Sequence, residues 1–361
     1  MVQLIELFFL VLVASSFLIW IVKLLSVKFK WESRPQGDRW NARKVSLYGG
    51  AGFFPIITFG FCFLFFQNYS ELVLYFNDTF EGRSQNNILL SILLGSVSMF
   101  ILGLVDDINN CRPIVKIITQ IIATGFFIYG GGGFSIYESN MLNIVITLFW
   151  FFIVINAVNL MDNMDGLASG VVIIALIFLI IISNPNTTGL FPLSIYISVI
   201  TASSLLAFLF FNWIPAKIFM GDSGSLPIGF ILAALLIPGP INSYLGITQD
   251  SYLSTSVMSL LIPMLIIVTL LFDIAFVAIT RFLEGKSIMQ GGKDHTSHRF
   301  VRSGLTEKQS IILIFSLSIT GGVCAVLLLI VDSGYGIFFT LFSIFILLIL
   351  QGTYLSRVPS S

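Results

Sequence analysis

The chain has 361 residues, 57% of them hydrophobic and 10% charged. A soluble chain of this length carries roughly 90 charged residues, whereas this one has 18 basic and 18 acidic side chains and no net charge. That excludes a pair of soluble domains, intrinsic disorder, which needs low hydrophobicity, and nucleic-acid binding, which needs a basic excess. Cys62, Cys111 and Cys324 have no metal or redox spacing and build no disulfide framework. What remains is an integral membrane protein.

A helical crossing of the bilayer takes about 20 apolar residues. Such runs recur along the whole chain, near 4–27, 49–67, 88–105, 113–130, 141–160, 166–183, 190–211, 225–240, 256–280, 309–331 and 336–350. They are too long for barrel strands, and in lipid every backbone polar group must be paired internally. The expected fold is therefore all-α and polytopic, with about eleven transmembrane helices in one membrane domain over residues 1–361. No basic residue precedes the first run, Lys23 follows it, and no small-residue cleavage site is visible. It is expected to stay as an anchor rather than to leave as a signal peptide.

Basic residues set the orientation. Lys23, Lys28, Lys30, Arg34, Arg39, Arg43 and Lys44 follow the first run, Arg112 and Lys116 the third, and Lys217 the seventh. Arg281, Lys286, Lys293, Arg299, Arg302 and Lys308 follow the ninth, and Arg357 lies in the tail. Of all the basic residues, Arg83 alone falls on the other side. The crowded side is expected to be cytoplasmic, with the N-terminus outside and the C-terminus inside.

Polar clusters gather on that same side. In chain order they are Asp106-Asp107, the run from Asn156 to Gly166, Phe219 to Ser225, and Gly291 to Arg299 with both histidines of the chain, His295 and His298. Each alone reads as a water-line marker or a turn. Together they point further. Asn156, Asn159, Asp162 and Asp165 follow a three-residue step, which forms a slowly rotating stripe if the helix continues there. Carboxylates held close repel unless something positive stands between them. Oxygen ligands suit a hard cation, Mg²⁺ or alternatively Mn²⁺, that keeps positions open for substrate phosphates, and they do not suit structural zinc. A nucleoside diphosphate arriving from the cytosol, and a lipid whose head group lies at the same depth, fit such a face.

In this combination and order the motifs resemble the polyprenyl-phosphate N-acetylhexosamine-1-phosphate transferases, bacterial membrane enzymes that start lipid-linked glycan assembly. The resemblance runs from Lys44 to about Phe300 and rests on Asp106-Asp107, the 156–168 run, Phe-Met-Gly-Asp-Ser-Gly-Ser at 219–225, and the histidine loop. It implies transfer of sugar-1-phosphate from a UDP-N-acetylhexosamine to undecaprenyl phosphate in the bacterial plasma membrane, with release of UMP and a requirement for Mg²⁺. The implied catalytic residues are Asp106, Asp107, Asp162, Asp165, His295 and His298. Lys44, Asn156, Asn159, Phe219 and Arg299 would bind substrate, and Asp222, with Asp107, would hold the metal. Membrane lipid is the implied surrounding partner, and the resemblance is compatible with a homodimer.

Three features depart from the family pattern. Asn163 stands where many members have glycine, the stretch from Lys44 to Gly49-Gly50 is short, and the loop is His-x-x-His rather than a longer histidine run. The last favours a simple N-acetylhexosamine donor over the lactyl-pentapeptide sugar of peptidoglycan synthesis, which is the alternative. Asp273, inside the ninth run, reads equally as an interhelix hydrogen bond or as part of a lipid groove. A transporter is the rival of another class. It would place ionisable groups near the midplane, often in internal repeats, whereas here they collect on one face and no half repeats.

Overall fold

The computed structural model describes residues 2–31, 48–75, 80–137, 139–183, 193–237, 255–286, 292, 294–330 and 334–358. These residues are helical throughout their apolar runs. In chain order the helices are α1 (Val2–Phe29), α2 (Gly49–Tyr75), α3 (Phe80–Asn109), α4 (Pro113–Tyr129), α5 (Asn140–Met161), α6 (Leu167–Ile182) and α7 (Leu193–Asn212). They continue as α8 (Asp222–Leu236), α9 (Thr255–Ile266), α10 (Val268–Leu283), α11 (Thr296–Arg302), α12 (Glu307–Ile330) and α13 (Gly334–Ser356).

By length and composition, five helices among the described residues can cross a membrane, or six if the pair α9–α10 forms one bent span. Five further apolar helices are shorter. The outer surface carries large apolar side chains, with Phe9, Phe59, Phe149 and Phe345 all more than half exposed. A water-facing protein does not present such a belt; an integral membrane protein does.

One expectation needs correction. The run near 256–280, read as one span, is two helices that meet at 83°. Pro263 lies inside α9 and lacks the amide that would continue the ladder, while its ring crowds the preceding turn. Ile267, between the helices, has left helical geometry at φ −107°, ψ 25°.

The centre of the bundle is α8. Every residue from Ser223 to Leu236 is buried, as expected of a helix that is apolar all round. It packs against α3, α5 and α2. Its 15 residues rise about 22 Å, short of the roughly 30 Å hydrocarbon thickness. At Gly103 of α3, the backbone of Asp222 and Ser223 occupies the space a Cβ would need. The two backbones therefore touch at the point where α8 begins, in the manner of small residues at membrane helix crossings. This crossing positions the site.

Candidate active site

The C-terminal ends of α3 and α5 and the N-terminal ends of α4 and α8 meet in one hydrogen-bonded cluster. Asp107 accepts from the first two amides of α8, Asp222 N at 2.9 Å and Ser223 N at 3.1 Å. An N-cap side chain usually does this from the residue before the helix, but that residue is Gly221. Its φ of +71° and the Asp107 oxygen 2.6 Å from where a Cβ would stand restrict the position to glycine. Asp107 thus supplies from α3 the cap that α8 lacks, and its charge meets the positive end of the helix.

Asp106 and Asp222 face one ammonium. Lys116 Nζ donates to Asp106 Oδ2 at 2.8 Å and to Asp222 Oδ2 at 2.7 Å. The remaining oxygens are used as well: Asp106 Oδ1 accepts from Cys111 N at 2.7 Å, and Asp222 Oδ1 from Asn159 Nδ2 at 2.8 Å. Asn159 Nδ2 also lies 2.8 Å from Ser225 Oγ, so α5 is tied to the first turn of α8 twice. The sequence called for something positive between the carboxylates. Lys116 fills that place here, yet in sequence it counted only toward orientation. Its signal was its position, one turn into the helix after the aspartate pair.

The stripe over 156–165 does not stay on one helix. α5 ends at Met161, Asp162 is its C-cap with the amide donating to Asn159 O, and the chain turns through Gly166 at φ +76°. Asn156 points away from the acidic cluster and donates to Gln120 Oε1 of α4 and to Phe152 O. Asp165 accepts from Ala216 N at 2.9 Å, and Gly166 N donates to Asn212 of α7. These bonds brace the connection from α7 to α8. Phe219 is buried beside Ala216, and its carbonyl accepts from Gly49 N at 2.8 Å. Lys44 lies outside the described residues.

The histidine loop is held from α10. Arg281 makes a two-pronged ion pair with Asp294, at 2.6 and 2.7 Å. Asp273 Oδ2 lies 2.9 Å from His295 Nδ1, and Oδ1 accepts from Thr296 N at 2.8 Å and from Thr296 Oγ1 at 2.7 Å. Asp273 is therefore an interhelix anchor for this loop, one of its two sequence readings. Ser297 Oγ donates to Asn163 Oδ1 at 2.7 Å, so the residue that departs from the family pattern joins the loop to the turn after α5. His298 is buried, its ring 6.2 Å from that of His295. Arg299, expected to bind substrate, is buried against α13. It donates to the carbonyls of Leu355, Val358 and Asp294 and lies over the Phe276 ring at 5.0 Å.

Burial alone would lower the pKa of His295, but the charge and hydrogen bond of Asp273 outweigh it and hold the imidazole above its ordinary value. Burial would raise Asp294, but the Arg281 hydrogen bond and charge hold it below the usual carboxylate range. A group with a raised folded pKa contributes stability below its unfolded value, about 6.5 for histidine, and loses it as pH climbs through the folded value. Thermal stability of the parent is therefore expected to fall as pH rises above about 6.5 by more than that of His295→Gln. Parallel melting curves in detergent would contradict the charged pair.

Among the described residues, no group of three or more His, Cys, Asp or Glu stands in a metal-holding arrangement. The donor set still fits magnesium, which takes one or two carboxylates and completes its shell with water and substrate phosphates. Asp106 and Asp222 offer two carboxylate oxygens within reach of a single cation, and with Asp107 they leave two negative charges in excess over Lys116. Asp107, expected as a ligand, has both oxygens on the amides of α8.

Residues 89–239, the segment that carries this cluster, match the family model described as Glycosyl transferase family 4. The chain is 31% identical over 271 residues to a probable undecaprenyl-phosphate N-acetylglucosaminyl 1-phosphate transferase of Bacillus subtilis, covering 72% of this chain and 70% of that one. It is 31% identical to the decaprenyl-phosphate N-acetylglucosaminephosphotransferase of Mycobacterium leprae, covering 62% of this chain and 61% of the relative. A phospho-N-acetylmuramoyl-pentapeptide-transferase of Dictyoglomus thermophilum is 33% identical over a shorter stretch, 46% of this chain and 57% of the relative. With the acidic motifs in the matched segment and the similarity extending across most of the molecule, the chain belongs to glycosyl transferase family 4.

Proposed function

We propose that the protein transfers N-acetylhexosamine-1-phosphate from a UDP-sugar, UDP-GlcNAc or a close relative, to undecaprenyl phosphate. An oxygen of the lipid phosphate attacks the sugar-bearing phosphorus of the donor, the bond from that phosphorus to the bridging oxygen breaks, and UMP leaves with the bridging oxygen. The observation that carries this reading is the Asp106–Lys116–Asp222 cluster at the head of α8, wired to Asn159. Phosphoryl transfer needs alignment and charge neutralisation more than covalent machinery, and this cluster offers both charge signs at one fixed point. Asp222 and Asp106 would hold Mg²⁺, which supplies neutralisation of phosphate charge when bound. Asp107 keeps the start of α8, and with it Asp222, in register. The names of the Bacillus and Mycobacterium relatives support a polyprenyl-phosphate acceptor and the N-acetylglucosamine group, and the Bacillus name supports undecaprenyl phosphate.

The test uses detergent-solubilised protein with undecaprenyl phosphate, Mg²⁺ and each UDP-sugar separately, with UMP release and product mass as readouts. UDP-GlcNAc or a near relative is expected to react, and EDTA to stop the reaction. Product from UDP-MurNAc-pentapeptide alone would move the protein to the branch of the Dictyoglomus relative. No product from any sugar would dismiss the transfer.

The reaction also requires a cytosolic site. In our reading about eleven helices span the bacterial plasma membrane, with the N-terminus outside and the C-terminus inside. In a cysteine-free background, single cysteines at Asn110 and Lys308 are expected to resist an impermeant thiol reagent in intact cells, and one at Asn140 to react. All three positions are exposed. The reverse pattern would overturn the orientation.

A further inference from the structure

We propose that Asp273 is a positioning residue for His295: its carboxylate fixes which ring nitrogen carries the proton and so presents Nε2 to a phosphate oxygen of the substrate. This rests on the transfer reading above.

The two oxygens of Asp273 divide their work. Oδ1 accepts from the amide and the hydroxyl of Thr296, which starts α11, while Oδ2 meets His295 Nδ1. One buried carboxylate therefore places the loop and orients the ring at the same time. A carboxylate can only accept, so Nδ1 must be the donor. In the neutral ring that leaves Nε2 as an acceptor; in the charged ring Nε2 carries a proton toward whatever stands at the far edge. The second nitrogen of a functional imidazole is commonly assigned its task in this way.

The loop is not free to turn the ring elsewhere. Asp294, before His295, is clamped by Arg281, and Ser297, after it, donates to Asn163. Asn163 lies four residues after Asn159, which donates to Asp222. The histidine is thus linked through one turn of chain to the acidic cluster. The charged and titratable groups around its ring are Asp273 and Arg281 from α10, Asp294 beside it, and His298 from α11. Arg299 is engaged on the other side, by Phe276 and the carbonyls of the C-terminal helix.

Asp273→Asn separates orientation from capping. The amide keeps one acceptor for the two Thr296 donors and turns its NH₂ toward Nδ1. The opposite flip would satisfy His295 but leave both Thr296 donors without their acceptor, so the first orientation wins. Nδ1 then becomes an acceptor and the proton moves to Nε2.

The chain has two histidines, so protein labelled with ¹⁵N-histidine gives two imidazole spin systems, and His298→Gln assigns them. The parent is expected to show His295 protonated at Nδ1 at every pH. Asp273→Asn is expected to show the Nε2–H tautomer, titration at lower pH, and kcat down by at least ~10-fold with KM little changed. UDP is expected to move the His295 Nε2 resonance in the parent. Thr296→Ala removes one cap contact and is expected to leave the parent tautomer in place. An unchanged tautomer in Asp273→Asn, a changed tautomer with undiminished kcat, or a UDP titration that leaves Nε2 unmoved would each overturn the proposal. The tautomer and UDP readouts need no turnover, so they remain decisive even if no UDP-sugar serves as donor.

Discussion

Asp222→Asn is expected to abolish transfer, lowering kcat by a factor of about 10³ or more, while the protein still inserts and folds. Asp222 is the first residue of α8 and accepts from Lys116 and Asn159. The change keeps the size of the side chain and the Asn159 contact, but removes the charge that faces the ammonium and, in our reading, the metal. Several kcal/mol of transition-state stabilisation disappear with it, each 1.4 kcal/mol being about tenfold in rate. The fold does not depend on that charge. The crossing of α3 and α8 is set by Gly103 and by the Asp107 cap, neither of which is touched. UMP release and the elution profile in detergent decide the matter. Activity within threefold of the parent would dismiss the cluster as the reaction centre. Asp107→Asn makes an informative companion. Both of its carboxylate oxygens serve the amides of α8, so its loss of activity should come with a measurable loss of stability, about 1 kcal/mol for one helix cap.

Lys116→Met is expected to cost about 10²-fold in kcat/KM, the scale of one charged group aimed at a reacting centre. Lys116 is the ammonium that reaches both Asp106 and Asp222, with its side chain 28% exposed. Without it the cluster loses one positive charge beside Asp106 and Asp222, and a diphosphate brought to this point loses a charge partner. Partial exposure limits the stability penalty to about 1–2 kcal/mol, below that of a fully buried pair. Lys116→Arg should not restore full activity, because a longer, planar guanidinium places its charge differently from the compact ammonium between Asp106 and Asp222. Groups that act together are strongly non-additive. The double variant Lys116→Met with Asp222→Asn is therefore expected to be scarcely slower than Asp222→Asn alone. Additive losses would mean that Lys116 works independently of the cluster.

Composition and hydropathy determined the class of this protein, because a bilayer demands apolar residues in runs that no soluble fold needs. That the polar motifs belong together was equally legible: Asp106, Asn159 and Asp222 meet in one cluster, and the histidine loop joins the turn after α5 through Asn163. Family membership was carried by those motifs and stands on the matched segment together with the similarity to the Bacillus relative. What sequence could not decide is which atom answers which. Asp106 and Asp107 are neighbours in the chain, yet one faces Lys116 and the other caps α8, because consecutive residues of a helix point about 100° apart. Lys116 looked like an orientation signal until the meeting of α4 with α3 and α8 placed it between two carboxylates. Arg299 could be named for substrate binding, but its bonds to the carbonyls of Leu355 and Val358 follow from the packing of α13. Asp273 could be placed at membrane depth but not assigned a partner. Its bonds to His295 and Thr296 depend on the return of those residues onto α10. Local pattern records which residues share a helix face. The pairings across elements come from how the helices cross, and only the tertiary structure contains that.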